Sequence, residues 1–412
     1  RNGGRGLNKP PATRARFKLA SLNIIGFRLN DGSDDSNKWL LVNQMMRDSR
    51  IGVLAVQEAH LDEKRADDIR SLFGQRLDLL FSADPSNPLG ARGVAFVVNK
   101  KVLQASDLSL KEIVPGRAAL LELTWSTNRR LKILNVYGPN DRQESAIFWR
   151  AIKSAGLTNI SFMLGDLNVV EFPMDRLPRK DDASQAQEAL HDLTLSLRVV
   201  DGWRRENPDT CAYTYLQQAT GSQSRIDRIY VARNMSKDTD DWEIRESGIP
   251  TDHKMVSVMV ANKKAPFVGR GRWSMPTHLL NDDAMKVEMK RLGARLIMGI
   301  AGIGERSVAC NAQELYNEFK EDLIKAARSR AKAKIPKIER QINRLREDLH
   351  ALLNPTAERN PAEEEAVIRS AAIIQDRIDN LEQKRFGRKR ASVAAKHWMH
   401  GETISKYWIR NN

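Results

Sequence analysis

The sequence predicts an α/β domain rich in antiparallel pairing, followed by an all-α region, and three observations lead there. Residues 17–260 alternate short apolar, β-branched runs with amphipathic stretches. Several of those runs are joined by links too short for a crossover helix, as between 83 and 93 or between 125 and 131, which excludes a purely parallel sheet. Strand-like runs then cease after about 263, where heptad spacing takes over.

In chain order, strands are predicted at 17–24 (FKLASLNI), 51–58 (IGVLAVQE), 77–83 (LDLLFSA), 93–99 (GVAFVVN), 118–125 (AALLELTW), 131–137 (LKILNVY), 160–166 (ISFMLGD), 225–231 (RIDRIYV) and 255–260 (MVSVMV). Helices are predicted at 36–49, 62–74, 142–155 and 183–197. The basic, turn-rich stretch KKAPFVGRGRW opens a linker at 263–278, and the helical region runs from 279 to 412. Within it Ile338, Ile342, Leu345, Leu349 and Leu352 repeat at spacings of four and three, and Pro336 suits a helix start. Val367, Ala371, Ile374, Ile378 and Leu381 repeat that spacing after the turn-forming NPTAERNPAEEE. A helical hairpin over about 336–386 follows, one apolar stripe on the other. Each helix holds only about two to three heptads, so the stripes read as core rather than as a dimerising coiled coil.

Of the 412 residues 41% are hydrophobic and 29% charged, and no apolar run approaches the roughly 18 residues of a membrane span. Residues 1–16 form a basic tail without a signal-peptide core, and the chain does not begin with Met, so it reads as a piece of something longer. Cys211 and Cys310 are too few and too far apart for a disulfide framework or a cysteine-rich zinc site, and a reducing compartment is expected. The net charge of +15 is uneven: residues 1–18 carry +6, residues 19–260 carry −2, and residues 261–412 carry +11. Basic flanks of this size point to an acidic polymer held through its phosphates.

The chemistry-bearing residues cluster at predicted strand ends. Asn23 closes SLNI, Glu58 closes LAVQE, Tyr137 closes ILNVY, and Asp166 with Asn168 closes FMLGDLN. Asp227 lies inside SRIDRIYV, and Asp252 with His253 stands just before the last strand. Neighbouring strands are about 4.8 Å apart, so acids at their ends can gather around one ion. Phosphodiester hydrolysis at neutral pH needs a base for the attacking water, a charge sink for the phosphoryl oxygens and a stabiliser for the leaving alkoxide. Glu58 suits a hard divalent cation, Asp166 the proton, Asn168 the orientation of water or substrate, and His253 a hydrogen bond to a non-bridging oxygen. Asp252 would fix the histidine tautomer or join the ion's ligands. Taken singly, each has a plainer reading as a turn, a solvated strand end or a surface ion pair; their joint order is the signal.

The blocks SLNIIG, LAVQEAHL, NVYGP, LGDLN, SRIDRIYV and TDHKMV, spread over about 240 residues, resemble the exonuclease-III-like branch of the endonuclease/exonuclease/phosphatase superfamily. That branch includes apurinic/apyrimidinic endonucleases and the endonucleases of LINE-type (non-LTR) retrotransposons. The resemblance implies a four-layer sandwich of two mixed sheets with helices outside, and a Mg2+ cofactor, with Mn2+ as a substitute. It implies Glu58 as metal ligand with Asn23 beside it and Asp252 near, Asp166 as activator, and Asn168 as orienter. Tyr137 would contact the scissile phosphate, and Asp227 would either support a site residue from behind or position substrate. Two positions depart from the pattern: Ile25, where relatives often carry a smaller or polar residue, and Met255, where proline is common.

GRWSMPTHLLNDDAMKVEMK resembles the segment after the endonuclease in LINE-type polyproteins, and AAKHWMHGETISKYWIRNN the stretch before their reverse transcriptase. This looser match rests on Trp273, Leu279, Leu280, Trp398, Gly401, Glu402, Ser405, Lys406 and Tyr407. The metal-holding Tyr/Phe-x-Asp-Asp signature of a polymerase is not in the sequence, so a reverse transcriptase would lie downstream. The expectation is a nuclear enzyme, cytoplasmic during assembly, that nicks DNA to expose a priming 3′-hydroxyl, with element RNA as a second partner of the basic flanks. Target choice would come from the hairpin TYLQQATGSQ, with Ser224 and Arg225 contacting nucleic acid. Two rival readings stand: a phosphatase of the same superfamily acting on small esters, and a nucleic-acid-binding remnant without activity.

Overall fold

A computed structural model of the chain describes residues 16–27, 38–125, 129–180, 184–262, 275, 279–280, 282–304, 311–333, 337–355 and 361–401. The tail through residue 15, most of the 263–278 linker, Pro336 and residues 402–412 lie outside them, as does the Trp398 side chain.

The first half runs β1 (Arg16–Asn23), α1 (Lys38–Asp48), β2 (Ile51–Gln57), α2 (Glu63–Phe73), β3 (Leu77–Ser82) and β4 (Val94–Asn99). Then come β5 (Ala105–Val114), β6 (Ala118–Trp125), β7 (Arg129–Tyr137), α3 (Arg142–Ser154), β8 (Phe162–Asp166), β9 (Arg176–Leu177), α4 (Gln185–Leu197) and β10 (Val199–Asp201). The sandwich closes with α5 (Gly202–Glu206), β11 (Tyr215–Leu216), β12 (Gln223–Ser224), β13 (Asp227–Ala232), β14 (Thr239–Arg245) and β15 (Met255–Ala261). Four helices follow: α6 (Asp283–Ala301), α7 (Ala312–Ala333), α8 (Lys337–Leu353) and α9 (Pro361–Gly401).

Two six-stranded mixed sheets form the centre, in the orders β14-β15-β1-β2-β4-β3 and β10-β13-β8-β7-β6-β5. In each, the middle pair alone is parallel, β1 with β2 and β7 with β8, because a helix (α1 or α3) carries the chain back between them. Three apolar clusters separate four layers. Phe17, Val53, Phe96, Leu121, Ile133 and Ile229 lie between the sheets. Trp39, Val42, Met46 and Ile69 seal α1 and α2 onto the first sheet, while Trp149, Ile152, Leu190 and Leu193 seal α3 and α4 onto the second. This is the four-layer sandwich that the resemblance implies.

The predicted strands and helices all form, within a few residues. Six strands were not foreseen, among them β5, whose ASDLSLKEIV is largely solvent-facing and shows little apolar alternation, and β14, whose TDDWEIR opens on two acids.

The described residues fall into two compact units, those within Arg1–Phe267 together with those within Arg344–Asn412, and those within Val268–Asn343. In the second unit α6 packs on α7 around Leu279, Met285 and Ala327, and Arg330 bonds Asp282 at 2.8 and 3.1 Å. In the first, Leu349 of α8 and Val367, Ala371 and Ile378 of α9 are buried as the stripes predict, while at the end of α8 Leu353 is buried and the predicted Leu352 is half-buried. Polar anchors tie these helices to the sandwich: Asn354 exchanges two hydrogen bonds with the Cys211 backbone, at 2.7 and 3.3 Å. A stripe announces burial, not what buries it.

Candidate active site

The two parallel pairs bring four strand ends to one edge of the sandwich: Asn23 of β1, Glu58 just past β2, Tyr137 of β7 and Asp166 of β8. In sheets with parallel strands the carboxyl ends are where side chains and loops converge on a ligand. The β7 and β8 ends approach closely enough to require glycine at two places. A Cβ on Gly165 would stand 1.9 Å from the Val136 oxygen, and one on Gly138 would stand 2.2 Å from the Leu167 oxygen. Beneath the site a buried polar bridge joins the sheets: Gln57 Nε2 donates to Asn135 Oδ1 at 2.6 Å, and Asn135 Nδ2 to the Val56 and Ala95 oxygens at 3.0 Å. Such a bridge fixes the register of one sheet on the other.

Asn23 ties the acids together. Its Nδ2 donates to Glu58 Oε1 at 2.9 Å and to Asp166 Oδ2 at 3.0 Å, while its Oδ1 accepts from Ile25 N at 3.0 Å. The Tyr137 hydroxyl donates to the same Glu58 Oε1 at 3.0 Å. Asp166 Oδ1 accepts from Asn168 N at 3.1 Å, and Asn168 Nδ2 donates to the Gly138 oxygen at 2.9 Å. His253 faces Asp227 through Nδ1, 2.9 and 3.1 Å from the two carboxylate oxygens, and Nε2 lies 3.8 Å from Asp166 Oδ2. Thr251 Oγ1 donates to the Asn23 oxygen at 2.8 Å and accepts from His253 N at 3.2 Å, which sets the last loop against the first strand. Glu58, Asn168 and Ile25 take left-handed φ values of 49°, 52° and 49°. That conformation is costly for Glu and more so for β-branched Ile, and it is held here by the surrounding bonds.

Burial and neighbouring charge shape the ionisation. Burial pushes the Asp166 carboxyl up to about 7, with the Asp227 charge adding to it. For His253 burial favours the neutral ring, but the Asp227 and Asp166 charges outweigh it and raise the imidazole to about 10. Burial also pushes the Tyr137 phenol up, keeping it a donor, and lowers Lys38. Lys38 Nζ donates to the Ile24 and Ile25 oxygens at 2.5 and 2.9 Å.

Four carboxylates, those of Glu58, Asp166, Asp227 and Asp252, thus share one edge with the cations His253 and Lys38. Asp252 Oδ1 is buried without a hydrogen bond and lies 3.6 Å from His253 Nε2, and Asp166, Asp227 and His253 offer ligand atoms within 4.8 Å of one another. A buried carboxylate oxygen with no hydrogen bond, beside excess negative charge, fits a hard divalent cation. Asp227 is committed to His253, so Glu58 and Asp252 are the better ligands. Glu58 Oε2 has no hydrogen bond among the described residues and lies 3.9 Å from His60 Nε2.

The structure brings together Asn23, Glu58, Tyr137, Asp166, Asn168, Asp227, Asp252 and His253. The geometry bears on several of the expected roles. Asp227 rather than Asp252 meets His253 Nδ1. Asn23 gives its amide N–H groups to Glu58 and Asp166, and its oxygen accepts from Ile25 N, which leaves that oxygen a second lone pair. The Tyr137 hydroxyl is placed on Glu58. Arg225 is no nucleic-acid contact: it is 1% exposed, with Nε and Nη2 on Asp175 at 2.7 and 3.0 Å and Nη1 on Asp201 at 2.6 Å. Ser224 is half-buried in β12, its oxygen accepting from Thr214 N. Sequence reasoning missed Lys38, Thr251 and Tyr215, whose ring packs 4.9 Å from that of His253. Lys38 carries no local motif, and Thr251 and Tyr215 lie inside TDHKMV and TYLQQATGSQ, where only the placed strands show their part in the site.

Comparison with known proteins bears on the family and the fold. The family described as Endonuclease/Exonuclease/phosphatase matches residues 20–253. A curated relative, the transposon TX1 uncharacterized 149 kDa protein of Xenopus laevis, is 33% identical over 189 residues, which cover 44% of this chain and 14% of that protein. Among solved structures, the AP endonuclease LMAP of Leishmania major is 16% identical at a TM-score of 0.50, covering 60% of this chain and 88% of that one. The endonuclease domain of TRAS1, a telomere-specific non-LTR retrotransposon, is 13% identical at a TM-score of 0.43, covering 60% of this chain and all of that one. At 16% identity the Leishmania structure speaks to the fold alone.

Proposed function

This chain belongs to the endonuclease/exonuclease/phosphatase family, and from that premise we propose that it is a magnesium-dependent endonuclease that nicks DNA and leaves a 3′-hydroxyl. The observation that carries the reading is the unbroken hydrogen-bond path from Tyr137 through Glu58, Asn23 and Asp166, with the Asp227–His253 pair closing beside it.

Asp166, with its raised affinity for protons, takes the proton of the attacking water. Asn168 has its amide nitrogen fixed on Gly138, and its Oδ1 is left to accept from that water and aim it. Protonated His253, held by Asp227, donates from Nε2 to a non-bridging phosphoryl oxygen as charge builds there. Glu58 and Asp252 would hold the divalent cation, with Tyr137 and Asn23 fixing Glu58. That cation, when bound, supplies charge neutralisation at the phosphoryl and leaving oxygens.

The similarity to a transposon protein supports a role in mobile-element DNA, in which the exposed 3′-hydroxyl primes reverse transcription by a downstream domain. Action in the nucleus, contact of the basic flanks with element RNA, and Mn2+ as a substitute cation belong to the same reading. The test is the chemistry of the ends. Nicked plasmid should be extended by a DNA polymerase without prior phosphatase treatment, and small phosphate monoesters should release little phosphate. Activity on the small esters alone would replace this reading with a phosphatase, and no activity on either would leave a binding remnant.

A further inference from the structure

Resting on that reading, we infer that the α8–α9 segment from Arg344 onward is a working part of the catalytic unit, a strap that positions the loop carrying Thr251, Asp252 and His253, with Arg346 as its main positioning residue. The strap grips the sandwich at successive points along one side. Glu364 accepts from Arg179 N at 3.3 Å, and Asn354 clasps the Cys211 backbone. A Cβ on Gly221, at the tip of the β11–β12 hairpin, would stand 3.4 Å from Ala372 Cβ and 3.5 Å from Ile368 Cγ2. The hairpin that sequence reasoning assigned to target choice is thus backed by α9 on one side while residues 217–220 stay exposed on the other.

The strongest grip lies at the loop between β14 and β15. Glu246, next after β14, accepts from Arg346 and, at 3.1 Å, from Gln375 Nε2. Arg346 also bonds Glu382 Oε1 at 2.9 Å, so one guanidinium ties α8, α9 and the loop together. Phe386 sits on Gly248, where even a single added carbon would collide with its ring at 2.1 Å. A small cavity of about 30 Å³ between loop and α9 is lined by Asp252, His253, Gln375 and Asp379, so α9 backs directly onto the two site residues. Loops are normally the least rigid parts of a fold, and a histidine that must meet a phosphate within tenths of an ångström needs its loop fixed from behind. On the inner side Thr251 fixes this loop to β1; on the outer side the strap does so.

The experiment uses the full chain, with Arg346→Ala, Arg346→Lys and Phe386→Ala, and reads backbone hydrogen exchange together with the kinetics of nicking. Arg346→Ala and Phe386→Ala are expected to speed exchange over residues 246–254 about tenfold while β1, β2, β7 and β8 keep wild-type protection. They should lower kcat about tenfold and leave KM within about twofold, with Arg346→Lys in between because it keeps the charge but not the fork. Unchanged exchange over 246–254 would overturn the inference, as would acceleration spread through the core strands, which would make the strap a general stabiliser. If the wild-type chain nicks no DNA, the functional reading falls, and the exchange pattern still decides whether the strap orders the loop.

Discussion

Replacing Asp227 by Asn removes a charge from the floor of the site and almost nothing else. Asp227 is fully buried and spans His253 Nδ1 with contacts of 2.9 and 3.1 Å. The amide is nearly the same size and can still accept from Nδ1–H. A hydrogen bond to a charged group contributes about 1.5–3 kcal/mol and a neutral one about 0.5–1.5, so the change costs about 1–2 kcal/mol of stabilisation of the imidazolium. If that form is the one that meets the phosphoryl oxygen, the nicking rate falls about five- to thirtyfold. The pH profile carries a second signature. With the imidazole raised to about 10, the active form persists at lower pH and is lost as pH rises through that value. Without the Asp227 charge that loss moves down by about one pH unit, since about 1.4 kcal/mol corresponds to one unit and the Asp166 charge remains. Single-turnover nicking of supercoiled plasmid, followed from about pH 6 to about pH 10 at fixed free magnesium, reads both effects. An Asp227→Asn enzyme within about twofold of wild type, with its alkaline limb in place, would refute the assignment of Asp227 as the group that charges and orients His253.

Two further predictions concern the metal and the support behind the site. Glu58→Gln keeps the shape and the Tyr137 contact but loses a charged ligand, and the magnesium concentration for half-maximal nicking should rise about tenfold or more, read by magnesium titration. Asp175, fully buried, accepts from Arg204 at 2.6 Å, from Arg225 at 2.7 and 3.0 Å and from Arg228 at 3.3 Å. Burial alone would raise its pKa, but Arg228 and Arg225 outweigh that and hold it down to about 2. A depressed folded-state value means its stabilisation is present above the unfolded value of about 3.9 and fades as pH falls toward 2. Asp175→Ala strands two buried guanidiniums and should cost about 3 kcal/mol, lowering Tm by about 6–12 °C at neutral pH in a thermal melt.

Much of the site was legible because it is built on strand ends, and strand ends leave local marks. Gly165-Asp166 and Tyr137-Gly138 were readable as motifs since the glycines answer to the close approach of β7 and β8. Asp227 and Asp252 were both found, yet which of them faces Nδ1 depends on the antiparallel register that sets Asp227 opposite Asp166, and no spacing encodes that. Arg225 was misread for the same reason. A basic residue beside a hairpin looks like a phosphate contact until Asp175 and Asp201, 50 and 24 residues away in sequence, are seen to enclose it. The stripes of α8 and α9 gave the helices but not their seat, which rests on contacts such as Arg346 to Glu246, 100 residues apart.

The central claim is that this one acidic edge, charged with magnesium, breaks DNA phosphodiester bonds. It is tested most directly by incubating supercoiled plasmid with the purified chain and with Asp166→Ala, each with magnesium and with chelator. The account predicts relaxed circles from the wild type with magnesium and intact supercoils in the other three reactions. Equal nicking by Asp166→Ala, or nicking undiminished by chelator, would contradict it.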